Sequence, residues 1–382
     1  MFLLQMERRV DPWLRPIFDA TLRDPVARFV TALINKNRRD EGLKIAEEKP
    51  LPNEEEDLNS VIESFTTQMR GLWKPGGFER GGNTKTQGII RGEFIVHDNL
   101  PPQCRYGIYA RPQTFRCWVR FSGPGPYITP DIDDVGFMSI SIKLMGVPGP
   151  KLLDDEQFTM DMMGVSTPTF VTPDVNANAQ LQIESVKNAS IFHFLNFHRS
   201  HVLDLIMQSL WTKTQSSPFE APYFCCVPYL LGEGRAMQFS VWPTSNKRTK
   251  IPRLPFRPPD DYLRNAMVAA LDQGDVELDI RLQLQTDPFL MPIENNGVLW
   301  PERLSPRVSV ATLRIPKQTF DSPAQIAFAR QLRYNPWHCI AEHRPLGNQS
   351  RARYRMYQTL ATLRQTMNAV QHYEPNGDEV FE

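Results

Sequence analysis

The chain has 382 residues, and its 43 basic and 43 acidic side chains leave a formal net charge of zero, which argues against a nucleic-acid coat protein or a polybasic membrane tether. This length accommodates one large domain or two ordinary ones. A composition of 41% hydrophobic and 10% aromatic residues is globular rather than disordered. Proline is the outlier at 33 residues, about 9% against a usual value of roughly 5%. It points to extended segments and fixed turns rather than a helical bundle.

Residues 1 to about 70 read as helices, because Leu14, Ile17, Phe18, Leu22, Val26, Phe29, Val30 and Leu33 recur at intervals of three and four. The N-terminus places its few apolar residues before its charges, the reverse of a signal peptide. The acidic stretch Pro52 to Asp57 reads as a solvated linker or a helix start. From residue 87 the period changes to two. Gln87 to Val96, Thr114 to Ser122, Phe137 to Leu144, Arg235 to Val241, Val276 to Leu284 and Arg307 to Ile315 read as short strands bounded by Gly or Pro. Six such runs suggest a closed antiparallel barrel, which removes exposed edges. Residues 183 to 211 carry a helical pattern, 252 to 259 form a Pro/Arg-rich crossing segment, and helix returns after 320 and runs to about 370.

No window of 18 apolar residues occurs, so no transmembrane segment is expected. Cys104, Cys117, Cys225, Cys226 and Cys339 are odd in number and lack a C-x-x-C pair, which suggests neither a disulfide framework nor a structural zinc site. The terminal Val-Phe-Glu is not a peroxisomal tripeptide. A cytoplasmic location is the expectation.

Four distant groups of motifs carry the functional signal. The first is Arg80-x-x-Asn83-x-Lys85-x-x-Gly88 with the strand Gly92-Glu93-Phe94-x-Val96, followed by Trp118-Val119-Arg120-Phe121-Ser122-Gly123. Next come Asp134-x-Gly136-Phe137 leading into Ile142-Lys143-Leu144, and Asp161-Met162-Met163-Gly164-Val165-Ser166-Thr167-Pro168-Thr169-Phe170. Near the C-terminus stand Trp300-Pro301-Glu302, Tyr334-Asn335-Pro336-Trp337-His338, Glu342-His343-Arg344-Pro345-Leu346-Gly347 and the pair Arg353-x-x-x-Tyr357. Read in this order over roughly residues 75 to 370, the sequence resembles the haem-dependent catalase superfamily, and within it the short catalase-related members.

The resemblance implies an α+β fold with an antiparallel β-barrel core, an N-terminal helical arm (1–74), a haem domain (75–382, barrel about 87–315) and a proximal helix at about 347–370. It implies haem b as cofactor, with Tyr357 as the axial iron ligand and Arg353 beside its phenolate. A phenol has a pKa near 10, and ferric iron and a guanidinium one turn away both favour its ionised form. The same resemblance places Arg80, Arg120 and Arg364 at the propionates and Phe170 at the cofactor. Arg353, Tyr357 and Arg364 share one helical face, and Arg364 lies about 10 Å along the axis from Tyr357.

At two positions the sequence departs from the family. Catalases carry a distal histidine where this chain has Asn83, and a distal asparagine where it has Val165 or Ser166. A carboxamide exchanges hydrogen bonds but does not shuttle a proton near pH 7, so efficient peroxide dismutation is not expected. The distal polar contacts would be Asn83 and Ser166. The seven histidines are His97, His193, His198, His201, His338, His343 and His372. None is adjacent to Asn83 in sequence, and His193, His198 and His201 lack the i, i+4 spacing of a helical metal pair; they read as surface or satisfied groups. His338 and His343 read as structural. The sequence therefore suggests a haem oxidoreductase, peroxidase-like, that oxidises or rearranges a small organic molecule or organic hydroperoxide, as catalase-related enzymes of secondary metabolism do. A haem isomerase or dehydratase and a haem-binding pseudoenzyme serving as sensor, store or scaffold are the alternatives. The expected partners are a small-molecule substrate, no nucleic acid, and a second copy of the chain through the N-terminal arm.

Overall fold

Alternation along the strands sorts side chains to two faces, and in the computed structural model, which describes residues 2–196 and 199–381, the apolar set of every long strand shares one interior. β1 (Thr86–Val96) gives Ile90 and Phe94, β2 (Thr114–Ser122) gives Val119 and Phe121, and β3 (Ser139–Met145) gives Ile140, Ile142 and Leu144. β4 (Thr159–Val165) adds Met160 and Met162. Two short strands follow, β5 (Tyr223–Phe224) and β6 (Tyr229–Leu230), and then β7 (Ala236–Pro243), β8 (Val276–Leu284) and β9 (Val308–Ile315).

Every pairing is antiparallel. β1 to β4 pair in sequence order, β5 joins β4 to β7, and β8 and β9 return to β1, so eight strands close a barrel with β6 alongside β7. Closure depends on β5, where Phe224 faces Val165 on one side and Ser240 on the other. Gly164 permits that approach, since a Cβ there would lie 2.9 Å from the Phe224 carbonyl oxygen. The apolar core packs the interior, with a void of about 10 Å³ lined by Tyr109, Met160, Tyr229 and Phe239, the scale of one water. The outward face of β2 to β4 carries Arg120, Ser139, Lys143 and Asp161.

The strands expected from alternation are present to within two residues at each end. β4 was not expected as a strand, because Thr-Met-Asp-Met-Met-Gly-Val has little β-branched content. Its pairing is supported instead by Lys143 facing Asp161 across β3 and β4. The N-terminal region forms α1 (Phe2–Thr21), α2 (Arg23–Lys36) and α3 (Glu54–Leu72), interrupted by non-helical 37–53. The acidic stretch is a helix start, with Glu54 to Asp57 in the first turn of α3, where they complement the helix dipole. Where one helical pattern was read over 183–211, the chain forms α5 (Ser190–Phe194) and α6 (Val202–Ser209), and a further helix, α4 (Val175–Val186), begins ahead of that range. α7 (Tyr262–Gln273) follows. The expected helix after 320 is divided into α8 (Pro323–Gln331) and α9 (Asn348–Met367), because Pro336, Pro345 and the positive φ of Gly347 interrupt a helix.

α8 covers the outward face of β1 and β2. Phe328 meets Trp118 edge-on at 5.3 Å, and Ile89, Ala329 and Leu332 join the same cluster.

Substituting Gly164→Val drives a side chain into the backbone of β5. A loss of about 1–3 kcal/mol is expected, measurable as a lower urea midpoint at unchanged slope.

Candidate functional site

The site grows from a turn that the strand network locks in place. Asn83 has φ of +53°, a left-handed conformation in which asparagine is enriched. Its N–H donates to the Pro124 carbonyl at 3.1 Å and the next N–H donates to Gly125 at 3.2 Å. Lys85 anchors the turn from below, ion-paired with Asp131 at 2.8 Å and Asp261 at 2.9 Å. The Asn83 Oδ1 accepts from the Ser139 hydroxyl at 2.6 Å, which leaves its amide N–H groups as the donors available to a ligand.

Arg120 points outward from β2 and is 1% exposed. It donates to the Asn83 carbonyl at 2.6 Å, to Thr86 Oγ1 at 2.8 Å and to Ser122 Oγ at 3.0 Å, so the same guanidinium holds the turn. Arg80 donates to the carbonyls of Ala329 at 2.9 Å and Leu332 at 2.7 Å. Arg364, on α9, donates to the same Leu332 carbonyl at 2.9 Å. Burial lowers all three guanidinium pKa values; Arg80 lowers Arg120 further, and Arg80 and Arg120 lower Arg364. Among the described residues none of the three is ion-paired. Glu79, the carboxylate that acts on them, is bound to Arg330 at 3.1 Å. Arg80 Nη1 and the hydroxyl of Tyr334 are buried with no hydrogen-bond partner among the described residues. Guanidinium stays protonated, so a concentrated positive charge sits here with donors unspent.

α9 presents the remaining residues. Its far face is fixed by Arg351, which pairs with Glu48 at 2.6 Å, Glu54 at 2.6 Å and Glu294 at 3.0 Å, and by Arg355, which pairs with Glu55. Its start is fixed by Gly347, where a Cβ would lie 2.5 Å from the Ile293 carbonyl oxygen, and by Trp337 Nε1 donating to the Ser350 carbonyl at 2.7 Å. On the opposite face stand Arg353, Tyr357 and Arg364. Arg353 lies over the Phe170 ring at 5.0 Å, a cation–π contact. Ser166 is 3% exposed, and its hydroxyl oxygen accepts the Met138 N–H at 2.8 Å. The hydroxyl that touches Asn83 is thus Ser139, which no sequence motif singled out.

Behind Arg364 and Tyr334 lies a charge network that includes Lys143, Asp161 and His338 of the sequence motifs together with Asp155, Glu156 and Arg333, which no motif contains. Lys143, fully buried, pairs with Asp161 at 2.8 Å and with Glu156. His338 faces Asp161 at 2.9 Å through Nδ1 and Asp155 at 2.9 Å through Nε2. Arg333 continues the chain, pairing with Asp155 at 3.2 Å and donating to Gln365 of α9 at 2.7 Å. Glu156, Asp161 and His338 bring ligand atoms within 4.8 Å of one another, and the Lys143 ammonium fills the cation position. Burial opposes charge on His338, but Asp155 and Asp161 outweigh it and raise its pKa to about 9.

The other histidines are engaged elsewhere. His97 contacts Thr312 at 2.9 Å, His343 accepts the Ile108 N–H at 3.0 Å, and His372 contacts the Asp155 carbonyl at 3.2 Å. His193 stacks on His201 at 4.4 Å, His201 Nδ1 meets Asp204 at 2.9 Å, and the Nε2 of each ring is buried with no hydrogen-bond partner among the described residues. His198 lies outside the described residues. A surface cavity of about 380 Å³ at Lys44, Glu47, Leu230, Glu233 and Arg344 has none of the converging arginines in its lining.

No family model matches the chain, and no curated protein matches it. Solved structures do. A fungal catalase superposes with a TM-score of 0.58 at 15% identity, covering 90% of this chain and 70% of that one. A bacterial catalase gives 0.54 at 12% identity with the same coverage, and catalase A from Saccharomyces cerevisiae gives 0.52 at 14%, covering 86% and 68%. The chain has a catalase-like fold.

His338 binds its proton more tightly in the folded state than at the ordinary value of about 6.5. Its contribution to stability is therefore complete below pH 6.5 and is lost as pH rises through about 9. Urea unfolding at pH 6 and pH 9 is expected to show this fall in the native protein and a much smaller one in His338→Gln, which starts less stable by about 3 kcal/mol.

Proposed function

We propose that the protein is a haem-dependent oxidoreductase that converts a small organic molecule or organic hydroperoxide, and that it is not an efficient catalase. The observation that supports this reading is the convergence of Arg80, Arg120 and Arg364, none of them ion-paired among the described residues, with one nearby carboxylate, Glu79, that is paired to Arg330 instead. Haem b offers two propionates on one edge, which such a cluster would bind through charge-assisted hydrogen bonds. The buried, partnerless Arg80 Nη1 and Tyr334 hydroxyl fit such acceptors. On this reading residues 75–382 form the haem-binding unit, Tyr357 is the axial ligand, and Arg353 stabilises its phenolate while held over Phe170.

Bound haem with a phenolate ligand would supply redox chemistry and Lewis acidity at its open face. The chain's own contribution there is Asn83, oriented by Ser139 and by the backbone bonds of its turn. An amide positioned in this way would donate a hydrogen bond to a substrate oxygen but would take no proton from it, so Asn83 would serve a reaction that needs orientation better than peroxide cleavage, which needs a base. Ser166, tied to Met138, adds polarity to that side.

The exposed Val10, Trp13, Leu14 and Ile17 of α1, at i, i+3, i+4 and i+7, support the reading that the N-terminal arm joins copies of the chain. No helix of the described residues is long and apolar enough to cross a membrane.

Protein expressed with a haem precursor is expected to show a Soret band whose position shifts in Tyr357→Phe; absence of the band, or an unchanged one, overturns the ligand assignment. Asn83→His keeps a residue type that tolerates positive φ. It is expected to raise hydrogen peroxide decomposition on the order of 100-fold, read as oxygen release. Oxygen release by the native protein already at that level would contradict the distal argument. Product formation from fatty-acid hydroperoxides separates an enzyme from a pseudoenzyme, which would bleach without product.

A further inference from the structure

Tyr334 occupies an unusual position among the buried polar groups. It is 8% exposed, and its hydroxyl has neither donor nor acceptor partner. The ring is fixed from one side by the Lys143 ammonium, 5.4 Å from its centroid, and Lys143 is itself held by Asp161 and Glu156. The backbone on either side is also fixed. The Leu332 carbonyl two residues earlier accepts from both Arg80 and Arg364, and the next residue, Asn335, donates its N–H to Asp161 at 2.9 Å. Burial pushes the phenol up to about 12, against the opposing charges of Lys143, Arg120 and Arg80, which favour its ionisation. It is therefore a neutral O–H donor at physiological pH.

A buried hydroxyl without a partner costs on the order of 1–3 kcal/mol, and three unneutralised guanidinium groups beside it add electrostatic strain. One ligand chemistry relieves both: a carboxylate, which accepts from the phenol and neutralises the cations. We infer that Tyr334 is a fourth member of the anion site, donating its hydroxyl to a ligand carboxylate that Arg80, Arg120 and Arg364 bind. The inference rests on the haem reading where that carboxylate is a propionate, and it extends to a free carboxylate should haem be absent. Phenylalanine would fill the same apolar contacts, so the hydroxyl itself is the functional part.

The test is Tyr334→Phe, compared with the native protein by absorbance and tryptophan-quenching titration. Without ligand the variant is expected to melt at the same or a higher temperature, since it removes an unpartnered group; a lower melting temperature would mean the hydroxyl is structural and would overturn the proposal. With haem, the variant is expected to bind on the order of tenfold more weakly. With haem dimethyl ester, whose propionates cannot accept as carboxylates, the two proteins are expected to bind alike. Equal affinities for haem, or an equal loss with the ester, overturn the role of Tyr334 while leaving the haem reading in place. If the native protein binds no haem, that reading fails, and malonate becomes the deciding probe. A malonate-induced rise in melting temperature that Tyr334→Phe reduces sustains the site for a free carboxylate, and no rise overturns it.

Discussion

Three guanidinium groups brought together away from water, with no ion-pair partner among the described residues and the nearby Glu79 bound to Arg330 instead, set the terms for this part of the molecule. Ion pairs in protein interiors persist when each charge meets its opposite, and the network of Lys143, Glu156, Asp161 and His338 follows that rule. Arg80, Arg120 and Arg364 do not. They are held by carbonyls and hydroxyls, which satisfy hydrogen bonds but leave the net charge in place. Tyr334 stands between the two groups electrostatically, with the Lys143 ammonium 5.4 Å from its ring and the charges of Arg120 and Arg80 acting on its hydroxyl.

The fold serves this arrangement by placing a filled barrel behind it. Because apolar side chains occupy the interior of β1 to β9, the polar residues of β2 to β4 face outward. There the segment from Arg333 to His338 and the inner face of α9 meet them. Closure through the two residues of β5 keeps that wall continuous. The far face of α9 is fixed by Arg351 and three carboxylates, so Arg353, Tyr357 and Arg364 are presented by a helix whose rotation is settled elsewhere. The network through His338 and Arg333 then ties the strands to Gln365, next to Arg364. Orientation of the site is thus a consequence of contacts outside it.

Much of this was legible in the sequence because it depends on periodicity. Alternation identified the six long strands whose side chains divide cleanly between core and exterior, and the eleven-residue spacing put Arg353 and Arg364 on one face. β4 was illegible because methionine and aspartate carry no β signal, and its place is set by Lys143 on a neighbouring strand. The break at 332–347 falls where Pro336, Pro345 and the positive φ of Gly347 interrupt a helix, a local signal that the apolar periodicity alone does not carry. Among site residues the arginines could be read from motif order. Ser139 could not, since a serine at a strand start carries no signal until the Asn83 turn is folded against it. Tyr334 was visible as a motif letter, but the isolation of its hydroxyl is a property of packing.

The central claim is that the arginine cluster exists for a ligand and not for the fold. Arg364→Met tests it most directly, since the substitution keeps most of the volume and removes one unpaired charge. In the ligand-free protein its melting temperature should equal or exceed that of the native chain, while haem affinity measured by absorbance titration should fall at least tenfold. A ligand-free variant that melts well below the native protein, with haem affinity unchanged, would contradict the account.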